Sequence, residues 1–257
     1  MRKTLYIDMP LGISGDMFSA ACYAFMDREL KEEYMDRAGK GCGEWGGSVE
    51  THQRSSGSEE GYTVTFAFPE GKRCALADEA RGAVRSVTSA LGLSAKGVDF
   101  SMAIFSDIID AEAKVHGVPA NEVHLHEIGR LAGLFNIASA GLCYDLLQME
   151  ERDIIGSAVS VGKGRIMTAH GWLSVPTPAS AFLLTSLKSR SGPFEGEMAT
   201  PTGIAIVKNL ISKQVDELPA PGRKGCGFGS KSFEGVVGYS RLFENDETVD
   251  EVKKWAV

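Results

Sequence analysis

The sequence predicts a mixed α/β (α+β) protein, and three stretches carry that prediction. Residues 4–8 alternate weakly, as a first strand does, and lead through a glycine-rich turn into a helical stretch. Residues 45–68 alternate Ser, Thr and Gly with Val, Tyr and Phe, the pattern of a strand pair. Residues 75–148 read as a helical region. Strand, loop and helix, then a strand pair and helices, open a layered α/β or α+β arrangement. A charged junction, Glu150-Glu151-Arg152-Asp153, divides the chain into an N-terminal α/β domain with a helical region (residues 1–150) and a C-terminal mixed α/β part (residues 151–257).

Taken in order, Pro10-Leu11-Gly12-Ile13-Ser14-Gly15-Asp16 is a turn-rich loop, and a helix is expected from Met17 to about Leu30. The paired strands are joined through the polar residues 54–61. Phe100, Ile104, Ile108, Ala111 and Val115 recur at helical spacing and mark one buried face. Gly117 and Pro119 stop that helix. A second helix, near residues 134–147, is apolar nearly all round and belongs in the core. A strand is expected at 154–161, helices near 177–187 and 201–213, and a last strand at 236–242. Residues 245–257 read as a tail or a closing helix.

Composition narrows the function. About 43% of the 257 residues are hydrophobic, enough for a sizeable core. No run approaches the roughly 18 apolar residues that span a bilayer, and the N-terminus turns acidic too soon for a signal peptide. A cytoplasmic protein with no membrane association is expected. A net charge of −7 argues against a nucleic-acid binder. Two basic, glycine-rich patches, 162–165 and 223–231, suit a small anionic ligand instead. The five cysteines are dispersed and never form C-x-x-C, which excludes a zinc ribbon and suggests reduced thiols.

Four places could carry chemistry. The loop Gly12-Ile13-Ser14-Gly15-Asp16, between a strand and a helix, offers backbone N–H groups to an anion, although a structural turn has the same sequence. His124 and His126, two apart on an extended segment, point to one side, with Glu127 adjacent, a donor set suited to zinc, nickel or copper. Glu112 and His116 share a helix face, where the imidazole can equally serve the last helical turn. Lys163 and Arg165, ahead of His170, could contact phosphate or carboxylate or simply be solvated. Thr200-Pro201 reads as a helix cap, sufficient in itself. No G-x-S-x-G is present, so Ser/His/Asp catalysis is unsupported.

As an ordered set these motifs resemble the LarC family of nickel insertion proteins. The blocks are Asp8, Gly12–Met17, Ala111–Gly117, Val123–Gly129, Thr168–Gly171, Val175–Ala179, Thr200–Gly203 and Lys224–Gly229. The resemblance implies insertion of nickel into a pyridinium mononucleotide bearing two thiocarboxylates, the cofactor of lactate racemase-type enzymes, coupled to CTP with a divalent cation. It assigns metal binding to His116, His124, His126 and Asp8, and catalytic roles to Asp16 and Glu127. Gly12, Ser14, Gly15, Lys163 and Arg165 would hold phosphate. It also implies a separate LarC-like C-terminal domain as partner and leaves room for an oligomer. Three departures stand out. Ala132 and Asn136 occupy positions where the family usually carries aspartates, Met9-Pro10-Leu11 replaces Cys-Phe-Ser, and residues 70–100 contain no histidine. They point toward reduced activity, with a non-catalytic homologue that binds metal, a nucleotide-like ligand or a partner as the alternative.

Overall fold

The structure is a computed structural model and describes residues 3–71, 73–125, 129–168 and 171–245. In chain order the elements are β1 (Thr4–Asp8), α1 (Gly15–Phe25), α2 (Arg28–Glu44), β2 (Ser48–Ser56), β3 (Glu59–Ala67), α3 (Ala77–Ala90), α4 (Ala95–His116) and α5 (Leu131–Leu146). They continue as β4 (Asp153–Gly156), β5 (Val159–Ser160), β6 (Gly162–Lys163), β7 (Arg165–Thr168), β8 (Gly171–Ser174) and α6 (Pro178–Leu183). The last are β9 (Ser189–Arg190), β10 (Gly196–Glu197), α7 (Pro201–Leu210), β11 (Lys213–Gln214), β12 (Lys224–Phe233) and β13 (Val236–Phe243). The mixed α/β expectation holds.

Seven strands form one mixed sheet in the order β11-β4-β1-β13-β12-β3-β2. β1 lies between β4, its parallel neighbour, and β13, its antiparallel one. The sheet therefore joins strands from both sides of residue 150. Strand alternation sorts its faces. Leu5 and Ile7 of β1 enter the main core beneath the helices, while Tyr6 stacks on Phe243 on the opposite face, centroids 5.2 Å apart. Helix α1 lies directly on β12, because every second residue there is glycine on the α1 side. A Cβ at Gly225 would come within 2.3 Å of Phe25 N, and one at Gly227 within 2.1 Å of Met17 O. Side chains on that face would lift the helix off the strand.

Several element boundaries differ from expectation, each for a local reason. The helix expected over 17–30 is two helices. Met26 takes an extended backbone, and the Asp27 side chain caps α2 by accepting from Leu30 N–H at 3.0 Å. Helix α2 is mostly hydrophilic, but Tyr34, Ala38, Gly41 and Cys42 form a narrow buried stripe that does follow helical spacing. The polar stretch 54–61 is mainly strand. Gly57 at φ +61° makes the reversal in two residues, so β2 and β3 run almost to it. Val115 is 41% exposed, unlike the rest of its stripe, because spacing does not reveal how far neighbouring elements extend. Gly117 ends α4 in the left-handed region, as expected.

The strand expected at 154–161 is broken into β4 and β5, since Ser157 turns to accept from Met9 N–H through its hydroxyl. Helix α6 gives way to a 3-10 turn at Leu184–Ser186, and α7 stops at Leu210 because Ile211 is extended and feeds β11. The basic, glycine-rich stretch at 223–231 is strand β12 and not a loop. The final strand appears where expected. Of the tail, residues 246–257 lie outside the described residues.

Candidate functional site

The site begins where two distant segments meet. Ile13 forms a parallel bridge with Ala199, its N–H donating to Met198 O at 3.2 Å while its carbonyl accepts from Thr200 N–H at 3.0 Å. Each segment then enters a helix. Ser14 caps α1, accepting from Met17 N–H, and Thr200 caps α7, accepting from Gly203 N–H at 3.3 Å. The two helix N-termini, each carrying a partial positive charge, therefore start side by side. Glycine makes this approach possible. Gly12 sits at φ +93°, and a Cβ there would fall 1.9 Å from Met198 O; one on Gly203 would fall 2.3 Å from Ile13 O. Close backbone contact accounts for both without invoking a ligand.

In front of these termini is a small cleft of about 70 Å³ lined by Ser14, Asp16, Met17, Glu197, Met198 and Thr200 on one side. Gly229, Ser230, Lys231, Phe233 and Gly238 of β12 and β13 line the other. The Ser14 hydroxyl donates to the Asp16 carboxylate in a very short contact. Glu197, whose side chain is 11% exposed, is held by Lys231 Nζ at 3.2 Å. The lining thus combines two carboxylates, one ammonium and the hydroxyls of both caps. It can hold a phosphate, a cation, or both together.

Asn136 approaches this place from below. A Cβ on Gly15 would lie 2.9 Å from Asn136 Cβ and 3.1 Å from Thr202 Cγ2, so α5 and α7 both pack closely against the start of α1. Its Oδ1 is buried and has no hydrogen-bond partner among the described residues. A side chain that reads in the sequence as a departure from the LarC pattern is therefore adjacent to the glycine loop in space.

The other candidate residues are more scattered. Lys163 is exposed on β6, and Arg165 on β7 donates to Trp172 O at 3.4 Å; neither lines the cleft. Asp8 is on β1, and Arg241 reaches its carboxylate at 2.8 Å while also meeting Glu59 at 3.2 Å. A metal at Asp8 would have to compete with that guanidinium. His116 is in the last turn of α4, 3.5 Å from Glu112, and His124 is exposed on an isolated bridge to Leu76. Leu125 is buried while His124 is not, as alternation requires. His126, Glu127 and His170 lie outside the described residues. Among the described residues no group of three or more His, Cys, Asp or Glu is placed to hold a metal ion. Glu197 and Phe233 gave no local signal in the sequence; they join the site only through the meeting of β10, β12 and β13 with the glycine loop.

All five cysteines are buried. Burial pushes the Cys226 thiol up to about 12, with Glu59 adding to the effect, and burial alone pushes Cys42 up to about 11. A thiol ligates metal as thiolate, so neither is suited to it near neutral pH. Cys226 lies on β12 against Phe228 and Val237, a packing position.

The fold thus brings two helix N-termini together beside one small, charged cleft. The family model described as "Nickel insertion protein" matches residues 5–257, and the chain belongs to this family. Curated relatives agree. A protein of Roseiflexus castenholzii named "Putative nickel insertion protein" is 30% identical over 240 residues, covering 91% of this chain and 57% of the relative. One of Geotalea daltonii with the same name is 33% identical over 242 residues, covering 93% and 60%. The pyridinium-3,5-bisthiocarboxylic acid mononucleotide nickel insertion protein of Clostridium kluyveri is 30% identical, covering 97% of this chain and 64% of that protein. The chain thus spans about six-tenths of the length of these relatives. No solved structure matches it. No helix among the described residues is long and apolar enough to cross a membrane.

Proposed function

We propose that this chain takes part in nickel insertion into a pyridinium mononucleotide, as substrate-binding part of an insertase. The observation that carries the reading is membership of the nickel insertion family along residues 5–257. The cleft supports it: a phosphate suits the hydroxyls of Ser14 and Ser230 with the Lys231 ammonium at the start of α1, and Asp16 suits a cationic group beside it. Nickel is substrate here. His116, His124, His126 and Glu127, with Asp8 as an outlying carboxylate, are the proposed nickel-side donors, a set suited to a borderline metal. CTP with a divalent cation is the proposed co-substrate, and a further LarC-like C-terminal unit the proposed partner. Self-association belongs to the same proposal, as does work in the cytoplasm, where thiols stay reduced.

Nickel titration by calorimetry tests the reading directly, because imidazole must be deprotonated to bind metal. Nickel should bind at mildly alkaline pH and more weakly on acidification, and the His124→Ala/His126→Ala double variant should lose most of the affinity. Turnover of the sulfurated precursor with CTP, with the C-terminal unit supplied, should depend on Asp16. Absence of nickel binding by the wild-type chain under those conditions would remove the insertase reading, and binding without turnover would make the chain a binding homologue.

A further inference from the structure

The aromatic wall of the cleft carries an inference of its own. Phe233, the last residue of β12, lines the cleft and stacks on Phe194, with centroids 6.2 Å apart and planes 7° from parallel. Its two edges rest against glycine backbone. A Cβ on Gly196 would lie 3.2 Å from Phe233 Cε1, and one on Gly238 would lie 3.2 Å from Cε2. A side chain at either position would press on the ring. Two glycines and Phe194 therefore hold Phe233 in a slot on the wall of the cleft.

What shares that cleft gives the ring its meaning. The face of an aromatic ring is electron-rich and attracts cations. Asp16 and Glu197 line the same space, and so do the polarizable side chains of Met17 and Met198. Lys231 and the hydroxyls of Ser14 and Ser230 supply the opposite character. Lys231 pairs with Glu197 at 3.2 Å, which leaves the Asp16 carboxylate, held by the Ser14 hydroxyl, as the charge that shares the cleft with the ring and suits a flat cation.

We infer that Phe233 is the ring-recognition residue of this cleft and selects a cationic aromatic ring over a neutral one of the same shape. The inference rests on the pyridinium mononucleotide reading and adds a specificity determinant to it. No covalent step is involved, so the test is one of binding alone. Oxidised nicotinamide mononucleotide carries a pyridinium ring and one phosphate; the reduced form keeps the phosphate and size but has a neutral ring.

Calorimetric titration of both forms, without nickel, gives a ratio of dissociation constants. The wild-type chain should prefer the oxidised form by at least about threefold, and Phe233→Leu should lower that ratio by about three- to thirty-fold, the range of a cation–π contact. The Leu variant should weaken binding of the oxidised form more than that of the reduced form, and Phe233→Tyr should keep the preference. Should Phe233→Leu not fold, Gly238→Ala displaces the ring without removing it and should lower the same ratio. A ratio unmoved in the folded variants, or no binding of either mononucleotide to the wild-type chain, overturns the inference. Nickel titration of the same preparations reports separately on the insertase reading.

Discussion

Substituting Gly227 by alanine tests the packing on which the site is built. The new Cβ would lie 2.1 Å from Met17 O and 2.2 Å from Ala21 N, both backbone atoms of α1. No side-chain rotation relieves a clash with backbone. To reach even the 3.0 Å limit of real Cβ contacts from 2.1 Å, α1 must withdraw by about 1 Å. Overpacking a close contact costs about 1–3 kcal/mol, and a backbone clash belongs at the upper end. At about 3 kcal/mol, a chain of this size should melt some 6–12 °C lower. The matched control is Gly82→Ala in α3, where nothing lies within 4 Å of the new atom and the backbone is helical. There alanine should stabilise by about 0.5–1 kcal/mol. Urea and thermal unfolding followed by circular dichroism compare the two. A Gly227→Ala protein as stable as wild type would refute the packing argument, and loss of ligand binding in that same protein would return the glycine stretch to a ligand-binding role.

Two further outcomes follow from charge and burial. Arg241→Ala removes the guanidinium that meets both Asp8 and Glu59, and although Glu59 keeps Lys224 at 3.1 Å, Asp8 loses this partner. The loss should be about 3 kcal/mol, against under about 0.5 kcal/mol for Arg28→Ala in the exposed Arg28–Glu32 pair; equal losses in urea unfolding would contradict the assignment. Cys226 and Cys42 are pushed up to about 12 and about 11 by burial, while a thiol in the unfolded chain titrates near about 8.5. The folded state thus prefers the protonated thiols, so their contribution is complete below about pH 8.5 and is lost as pH rises through the folded values. Urea midpoints should fall between about pH 9 and 11, with alkylation of native thiols slow at pH 8; a flat profile or rapid alkylation would count against it.

The glycines of the site and of the sheet serve two kinds of close packing. Gly12 and Gly203 are where backbones touch, and Gly225 and Gly227 are where a helix meets a strand. Any ligand role falls to the groups those contacts bring forward: the Ser14 and Thr200 caps, Asp16 and Glu197. This division explains why a glycine-rich sequence is a poor guide to which atoms face a substrate.

What the sequence determined by itself was local. Helical spacing buried Phe100, Ile104 and Ile108, Gly117 had to end α4, and Thr200-Pro201 had to begin α7, because each depends on residues within a turn or two. The ordered motifs were enough for the family. Local reading failed where the deciding partner is far along the chain. Glycines at 225 and 227 look like a phosphate loop until α1 lies across them, and Asp8 looks like a free ligand until β13 delivers Arg241. Asn136 resembles a mere substitution until α5 places it under Gly15. The cleft exists only because Ile13 pairs with Ala199, and a contact across that separation leaves no period or spacing in the sequence. Tertiary packing sets it, since the free energy of seating a helix on a sheet is gained only when both are present.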